Sequence, residues 1–170
     1  MKKIPKIDFN PFTGFYLDLD GVFADFDRRV FDISGRHPYQ FDRGMWKVIM
    51  ADKEFFSKLE FMKDAEILWE YTKQYNPIFL TGAPPGERFQ NQKRDWVAKK
   101  FGEQWTTIVL PKKDKQLHSG PNKLLIDDTN VNIEQWSSKG GHGVLHKGDV
   151  WDTINYVEDL RLGYNYKGNI

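Results

Sequence analysis

Cysteine is absent from this 170-residue chain. That excludes disulfides and thiolate metal sites, and a reducing, cytoplasmic setting is the expectation that follows. No apolar run approaches the roughly 18 to 20 residues that a bilayer-spanning helix needs, so no membrane partner is expected. Neither sign of charge prevails: 25 Lys+Arg stand against 24 Asp+Glu, a formal net charge of +1. A balance this close generates no global field to recruit an extended nucleic acid. Internal repeats and low-complexity tracts are missing as well. The opening residues, Met1-Lys2-Lys3-Ile4-Pro5-Lys6, are basic but lead into Asp8 and Asn10 rather than an apolar signal core. A soluble, unprocessed protein is expected.

Aromatic residues are plentiful, with 13 Phe, 7 Tyr and 6 Trp. That load suits a bulky core or stacking surfaces for planar ligands. The length fits one domain with a small insertion. Four short apolar runs bounded by turn signals read as buried strands: Phe15 to Asp20, Pro77 to Thr81, Thr106 to Leu110 and Lys123 to Asp127, with a weaker fifth from Gly143 to His146. Helical periodicity fills the intervals at Asp64–Tyr75, Glu87–Phe101, Val131–Lys139 and Asp149–Leu162. The run from Gly163 to Ile170 has no periodicity and reads as a tail. Strands alternating with helices predict an α/β fold, a three-layer Rossmann-like parallel sheet of about five strands. The interval after the first strand breaks this rhythm with weakly helical segments and no strand. It predicts a small helical cap at 23–63 over a core formed by 1–22 and 64–170.

Strand ends carry the chemistry. The first apolar run delivers Asp18 and Asp20 into Gly21, and alternation along an extended chain puts residues i and i+2 on one face. Asp25 and Asp27 repeat the spacing without a strand before them or a glycine after, and read as solvated carboxylates. The second strand ends in Thr81-Gly82, a hydroxyl and a backbone N–H suited to an anion. The fourth ends in Asp127-Asp128. In a parallel sheet these groups converge on the edge where open α/β folds place their ligands. Four carboxylates together repel, and an all-oxygen donor set without cysteine or spaced histidines favours Mg²⁺ and phosphoryl chemistry. A phosphate also needs a fixed cation. Lys93 falls on the inward stripe of the helix after Thr81, whereas Lys112, Lys113, Lys115 and Lys123 read mostly as solvated loop charges.

The set Asp18-Leu19-Asp20-Gly21-Val22, Thr81-Gly82, Lys93 and Ile126-Asp127-Asp128 resembles the four motifs of the haloacid dehalogenase-like (HAD) phosphohydrolases over nearly the whole chain. The runs Asp18 to Phe26, Phe55 to Glu60 and Lys93 to Gly102 resemble the 5′(3′)-deoxyribonucleotidases within them. The resemblance implies Asp18 as nucleophile forming an aspartyl-phosphate and Asp20 as general acid and base. It implies Thr81, Gly82 and Lys93 around the phosphoryl group. Mg²⁺ would be held by Asp18, the Asp20 carbonyl and Asp128, with Asp127 supporting or sharing ligation. Phe26 and Trp46 would face the leaving group from the cap, Phe26 at a position where the family stacks a base.

The expected substrate is a small phosphomonoester, foremost a (deoxy)ribonucleoside monophosphate; a homodimer stays among the open assemblies. A sugar phosphate, a nucleic-acid terminal phosphate or a non-catalytic binding module on the same scaffold are the alternatives. The remaining tryptophans read as core. His37, His118, His142 and His146, with no ligand spacing, read as surface or loop residues.

Overall fold

The computed structural model describes residues 2–167. The apolar runs form one five-stranded parallel sheet: β1 (Gly14–Leu17), β2 (Ile78–Gly82), β3 (Thr107–Leu110), β4 (Lys123–Asp127) and β5 (His142–Leu145). Their spatial order is β3-β2-β1-β4-β5, with every pairing parallel. The chain therefore steps outward from β1 to β3, then returns to the far side of β1 for β4. That reversal opens a crevice between the carboxyl ends of β1 and β4.

Alternation sorts the strand residues between two cores. Phe15, Leu17, Phe79, Leu124, Ile126 and Val144 enter the larger cluster, beneath α3 (Ala65–Thr72), α4 (Glu87–Phe101) and α6 (Val150–Lys167). Tyr16, Leu80 and Leu125 pack on the opposite face against Trp136 of α5 (Asn130–Ser138). The 3₁₀ segment Lys112–His118 borders this second face and packs against α5. Period-2 alternation thus fixes which helix each strand-end residue meets.

β1 ends at Leu17, earlier than its apolar run suggests. The Leu19 carbonyl accepts N–H bonds from Val22, Phe23 and Ala24 at 3.1, 2.8 and 2.9 Å, curling the chain into a tight turn. Gly21 has φ +78 there, a conformation that costs other residues steric strain.

The insertion leaves and rejoins the core side by side, at an isolated antiparallel bridge between Ala24 and Phe61. Asp25 N–H donates to the Glu60 carbonyl and Met62 N–H to the Phe23 carbonyl, both at 2.8 Å. Between these ends lie α1 (Phe26–Ser34), α2 (Met45–Ala51) and 3₁₀ turns at Pro38–Gln40 and Phe55–Lys58. Asp25 Oδ1 caps α1 by accepting from Arg28 N–H at 3.0 Å. Val30, Ile49, Phe55, Phe56 and Leu59 of the insertion join the larger core. Gln92 of α4 fastens the insertion's backbone, accepting from Phe56 N–H at 3.1 Å and donating to the Lys53 carbonyl at 2.7 Å.

α6 is longer than its periodicity foretold. It continues to Lys167, so the expected tail begins as helix, and residues 168–170 lie outside the described ones. On the buried side of α6, Arg161 donates twice to Glu158 and once to Asp8, tying the helix to the N-terminal segment. Tyr71 of α3 donates to Glu158 Oε1 at 2.6 Å.

Candidate active site

The crevice opens into a cleft of about 960 Å³ between the sheet edge and the insertion. Asp18, Asp20, Gly82, Lys115 and Asp128 line one side; Phe26, Met45, Trp46, Met50 and Phe56 line the other.

Asp18 lies at the base, 6% exposed. Its backbone N–H continues the β1–β4 ladder to the Ile126 carbonyl at 2.9 Å, and its Oδ1 accepts from Leu19 N–H at 2.8 Å. Lys115 Nζ sits 2.8 Å from Asp18 Oδ1 and 2.8 Å from Asp127 Oδ2. Strand parity accounts for this bridge. Asp18 follows Tyr16 and Asp127 follows Leu125, so both face the side bordered by the 112–118 segment. Burial pushes the Asp18 carboxyl up, to about 8, with Lys115 pulling against it and Asp127 adding to the rise. Burial alone would lower the Lys115 ammonium, but Asp18 and Asp127 outweigh it and hold it above its usual range.

Lys115 was expected to be a solvated loop charge; it is 3% exposed and is the ammonium at the floor of the cleft. Lys93, expected beside the phosphate, is instead buried behind the cleft wall. Its Nζ donates to Asp20 Oδ2 at 2.5 Å and to Thr81 Oγ1 at 3.0 Å. Thr81 shares the parity of Phe79, so its hydroxyl points at α4, fully buried, rather than into the cleft. Gly82 does line the cleft, while the next N–H, of Ala83, is committed to the Leu110 carbonyl at 3.2 Å. Lys112 Cβ would lie 3.1 Å from a Cβ at Gly82, so the bare glycine admits that neighbour.

Asp18 and Asp20 both reach the cleft, but alternation does not pair them, because the turn at Leu19 intervenes. Asp18 meets Lys115 and Asp20 meets Lys93. Asp20 Oδ1 is buried without a hydrogen-bond partner. The bond from Lys93 to the other oxygen fixes the carboxylate's orientation at the cleft edge.

Asp127 is fully buried, and both of its oxygens are engaged. Oδ1 accepts from Thr129 N–H at 2.9 Å and Asn132 Nδ2 at 3.0 Å; Oδ2 accepts from Asn132 Nδ2 at 2.9 Å and from Lys115. Asp128, the adjacent residue, opens to the cleft, with Thr129 Oγ1 donating to its Oδ1 at 3.2 Å. Partial burial and the neighbouring Asp127 push its carboxyl up to about 6. Carboxylate oxygens of Asp18, Asp127 and Asp128 lie within 4.8 Å of one another. This donor set fits a hard divalent cation such as Mg²⁺. With Asp127 saturated by nitrogen donors, Asp18 and Asp128 are the carboxylates open to it.

Three further cleft residues were not expected. His146 is buried; its Nδ1 lies 2.8 Å from Thr153 Oγ1, and its backbone N–H donates to the Asp127 carbonyl at 2.9 Å. It follows β5 at the active edge, and that position was the available signal. Asp25 and Asp27 also line the cleft, Asp27 exposed as read and Asp25 half-buried. Partial burial, reinforced by Asp25, raises the Asp27 carboxyl. Phe26 and Trp46 stand together on the insertion side, ring centroids 6.0 Å apart, with Trp46 47% exposed.

No protein-family model and no curated protein matches the chain in sequence. Solved structures match its fold. A haloacid dehalogenase-like family hydrolase from Streptococcus pneumoniae aligns with TM-score 0.54 at 12% identity, covering 87% of this chain and 92% of that one. A hydrolase from Streptococcus pneumoniae TIGR4 aligns with TM-score 0.50 at 11% identity, covering 88% of this chain and 99% of that one. What is shared is a HAD-like α/β fold, which in this chain has the sheet order β3-β2-β1-β4-β5.

Proposed function

We propose that this protein is a Mg²⁺-dependent phosphomonoesterase acting on nucleoside monophosphates through an aspartyl-phosphate on Asp18. The observation that carries the reading is the buried Lys115 ammonium bridging Asp18 and Asp127 at the floor of a cleft edged by Asp20 and Asp128. A cation fixed against a strand-end carboxylate neutralises both an attacking oxygen and an incoming phosphate.

In the first step a carboxylate oxygen of Asp18 bonds to phosphorus as the ester P–O bond breaks. Asp20 gives its proton to the departing alkoxide. In the second, Asp20 takes a proton from water, whose oxygen bonds to phosphorus while the Asp18–phosphorus bond breaks. Inorganic phosphate leaves and Asp18 is restored. Lys115 neutralises charge in both steps. Lys93 supports Asp20 from behind instead of touching phosphate, and Thr81 supports Lys93. A Mg²⁺ ion held by Asp18 and Asp128 would supply further neutralisation of the phosphoryl oxygens. Asp127 and Asn132 hold Lys115 in place.

The nucleoside preference draws on the opposite wall. Phe26 and Trp46 line that wall as partly exposed aromatics suited to a planar leaving group, and the cleft volume admits a nucleotide. The test is a panel of nucleoside monophosphates, sugar phosphates and a generic aryl phosphate, with Mg²⁺. Faster release of phosphate from nucleotides than from the aryl ester supports the reading, and parity between them removes the nucleotide assignment. Asp18→Asn is expected to abolish turnover with the fold intact; substantial residual activity would overturn the covalent mechanism.

A further inference from the structure

Among the buried residues of α4, Lys93 alone carries a charge. At 2% exposure its ammonium is expensive to hold unless every side is answered. Asp20 and Thr81 answer two sides. The third is covered by the Phe56 ring of the insertion, whose centroid lies 4.5 Å from Nζ. One nitrogen therefore touches the insertion, the sheet and the acid/base carboxylate together.

Phe56 is itself held from two directions. Its N–H donates to Gln92 Oε1, one residue before Lys93 on α4, and its ring meets Phe89 edge-on at 5.6 Å. At 1% exposure it borders the cleft without opening to it, and it joins the more exposed wall through Phe55, whose ring meets Phe56 edge-on at 5.0 Å and Phe26 at 5.3 Å. A leaving group packed against Phe26 thus bears, through Phe55, on the ring that shields Lys93 from water.

We propose that Lys93 is a positioning residue that links the seating of Phe56 to the orientation of Asp20. With Phe56 seated, the dry ammonium holds Asp20 Oδ2 and fixes the orientation of the carboxylate at the cleft edge. With Phe56 displaced, water solvates the ammonium and the grip on Asp20 loosens. Substrates whose leaving group fills the aromatic wall thus organise their own acid catalyst, and small leaving groups do not. This inference rests on the phosphomonoesterase reading above.

The experiment is a double-mutant cycle on the full chain with Mg²⁺, using Phe56→Leu, Lys93→Met and their combination. On a nucleoside monophosphate, each single substitution is expected to lower kcat by roughly tenfold, the scale of lost general acid catalysis, with KM within about twofold. The combination should cost no more than Lys93→Met alone, since both act through one contact. With para-nitrophenyl phosphate, whose leaving group needs no proton, the initial burst of nitrophenolate should change by less than about threefold in either variant. Asp20→Asn provides a second background in which Phe56→Leu should be silent, so the test stands even if Lys93→Met fails to fold. Additive losses, losses confined to KM, or an equal loss in the burst overturn the link and leave the phosphatase reading standing. Absence of turnover by the unaltered chain overturns both.

Discussion

Asn132 Nδ2 donates to both oxygens of Asp127, at 3.0 and 2.9 Å. The amide belongs to the first turn of α5, a helix whose start is tied to the Asp127 carboxylate through Thr129 N–H. A buried carboxylate fixed this way cannot rotate, so the ammonium of Lys115 is delivered to Asp18 at a set height above the sheet edge.

Asn132→Ala is expected to disturb that delivery. Leaving buried Asp127 short of a donor costs about 1–3 kcal/mol of stability, measurable as a lower urea midpoint. Turnover should fall by roughly tenfold as Lys115 loses its fixed partner geometry. Unchanged activity in a destabilised Asn132→Ala chain would show that the Asp127 rotamer does not matter to chemistry.

Gly21→Ala joins two penalties. The residue has φ +78, and a Cβ there would collide with the Asp128 carboxylate. The backbone strain alone is worth roughly 1–2 kcal/mol. The collision should push Asp128 out of the metal set, so the Mg²⁺ concentration for half-maximal activity should rise at least about tenfold. Isothermal titration with Mg²⁺ checks the second effect independently of turnover.

Removing the metal with a chelator is expected to abolish phosphate release and to lower the melting temperature to that of the Mg²⁺-free chain, by mass action. Asp128→Ala should lose the Mg²⁺-dependent rise. Without metal it should melt no lower than the unaltered chain, because it removes a carboxylate that partial burial and Asp127 already push up to about 6. A full Mg²⁺-dependent rise in Asp128→Ala would place the cation elsewhere.

Acid sensitivity has a source far from the cleft. Burial alone would raise the Glu158 carboxyl, but the bonds from Arg161 and Tyr71 outweigh it and hold it below its ordinary value of 4.5. A depressed carboxylate contributes stability that is present above the unfolded value and is lost as pH falls through the folded one. Stability should therefore decline below about pH 4.5, less steeply in Glu158→Gln. Urea midpoints from pH 3 to pH 6 test this; parallel curves would dismiss Glu158 as a contributor.

The strands and most helices were legible because each apolar run is short, bounded by turn residues and matched to one period. Asp18 and Asp128 were legible for the same reason: a strand end fixes their place. The lysines were not. Lys93 read correctly as inward, but an inward stripe does not say which strand-end residue lies opposite, and the parity of Thr81 with Phe79 sends both away from the cleft. Lys115 sits in a charged run that resembles a solvated loop. Its burial depends on the 112–118 segment packing against α5, a tertiary contact with no local signature. Asp20 parted from Asp18 because three N–H groups converge on the Leu19 carbonyl and end the strand.

The paired entry and exit of the insertion have an evolutionary consequence. Asp25 to Glu60 and Met62 to Phe23 close the inserted stretch on itself at the sheet's rim. Exchanging what lies between would leave the strand register untouched, and lengthening such a loop costs little entropy. The strand-end carboxylates and the outer wall of the cleft then lie on separate stretches of chain, with Phe56 over Lys93 as a joint between them. A lineage can trade one clientele for another while Asp18, Lys115 and Asp127 stay where they are.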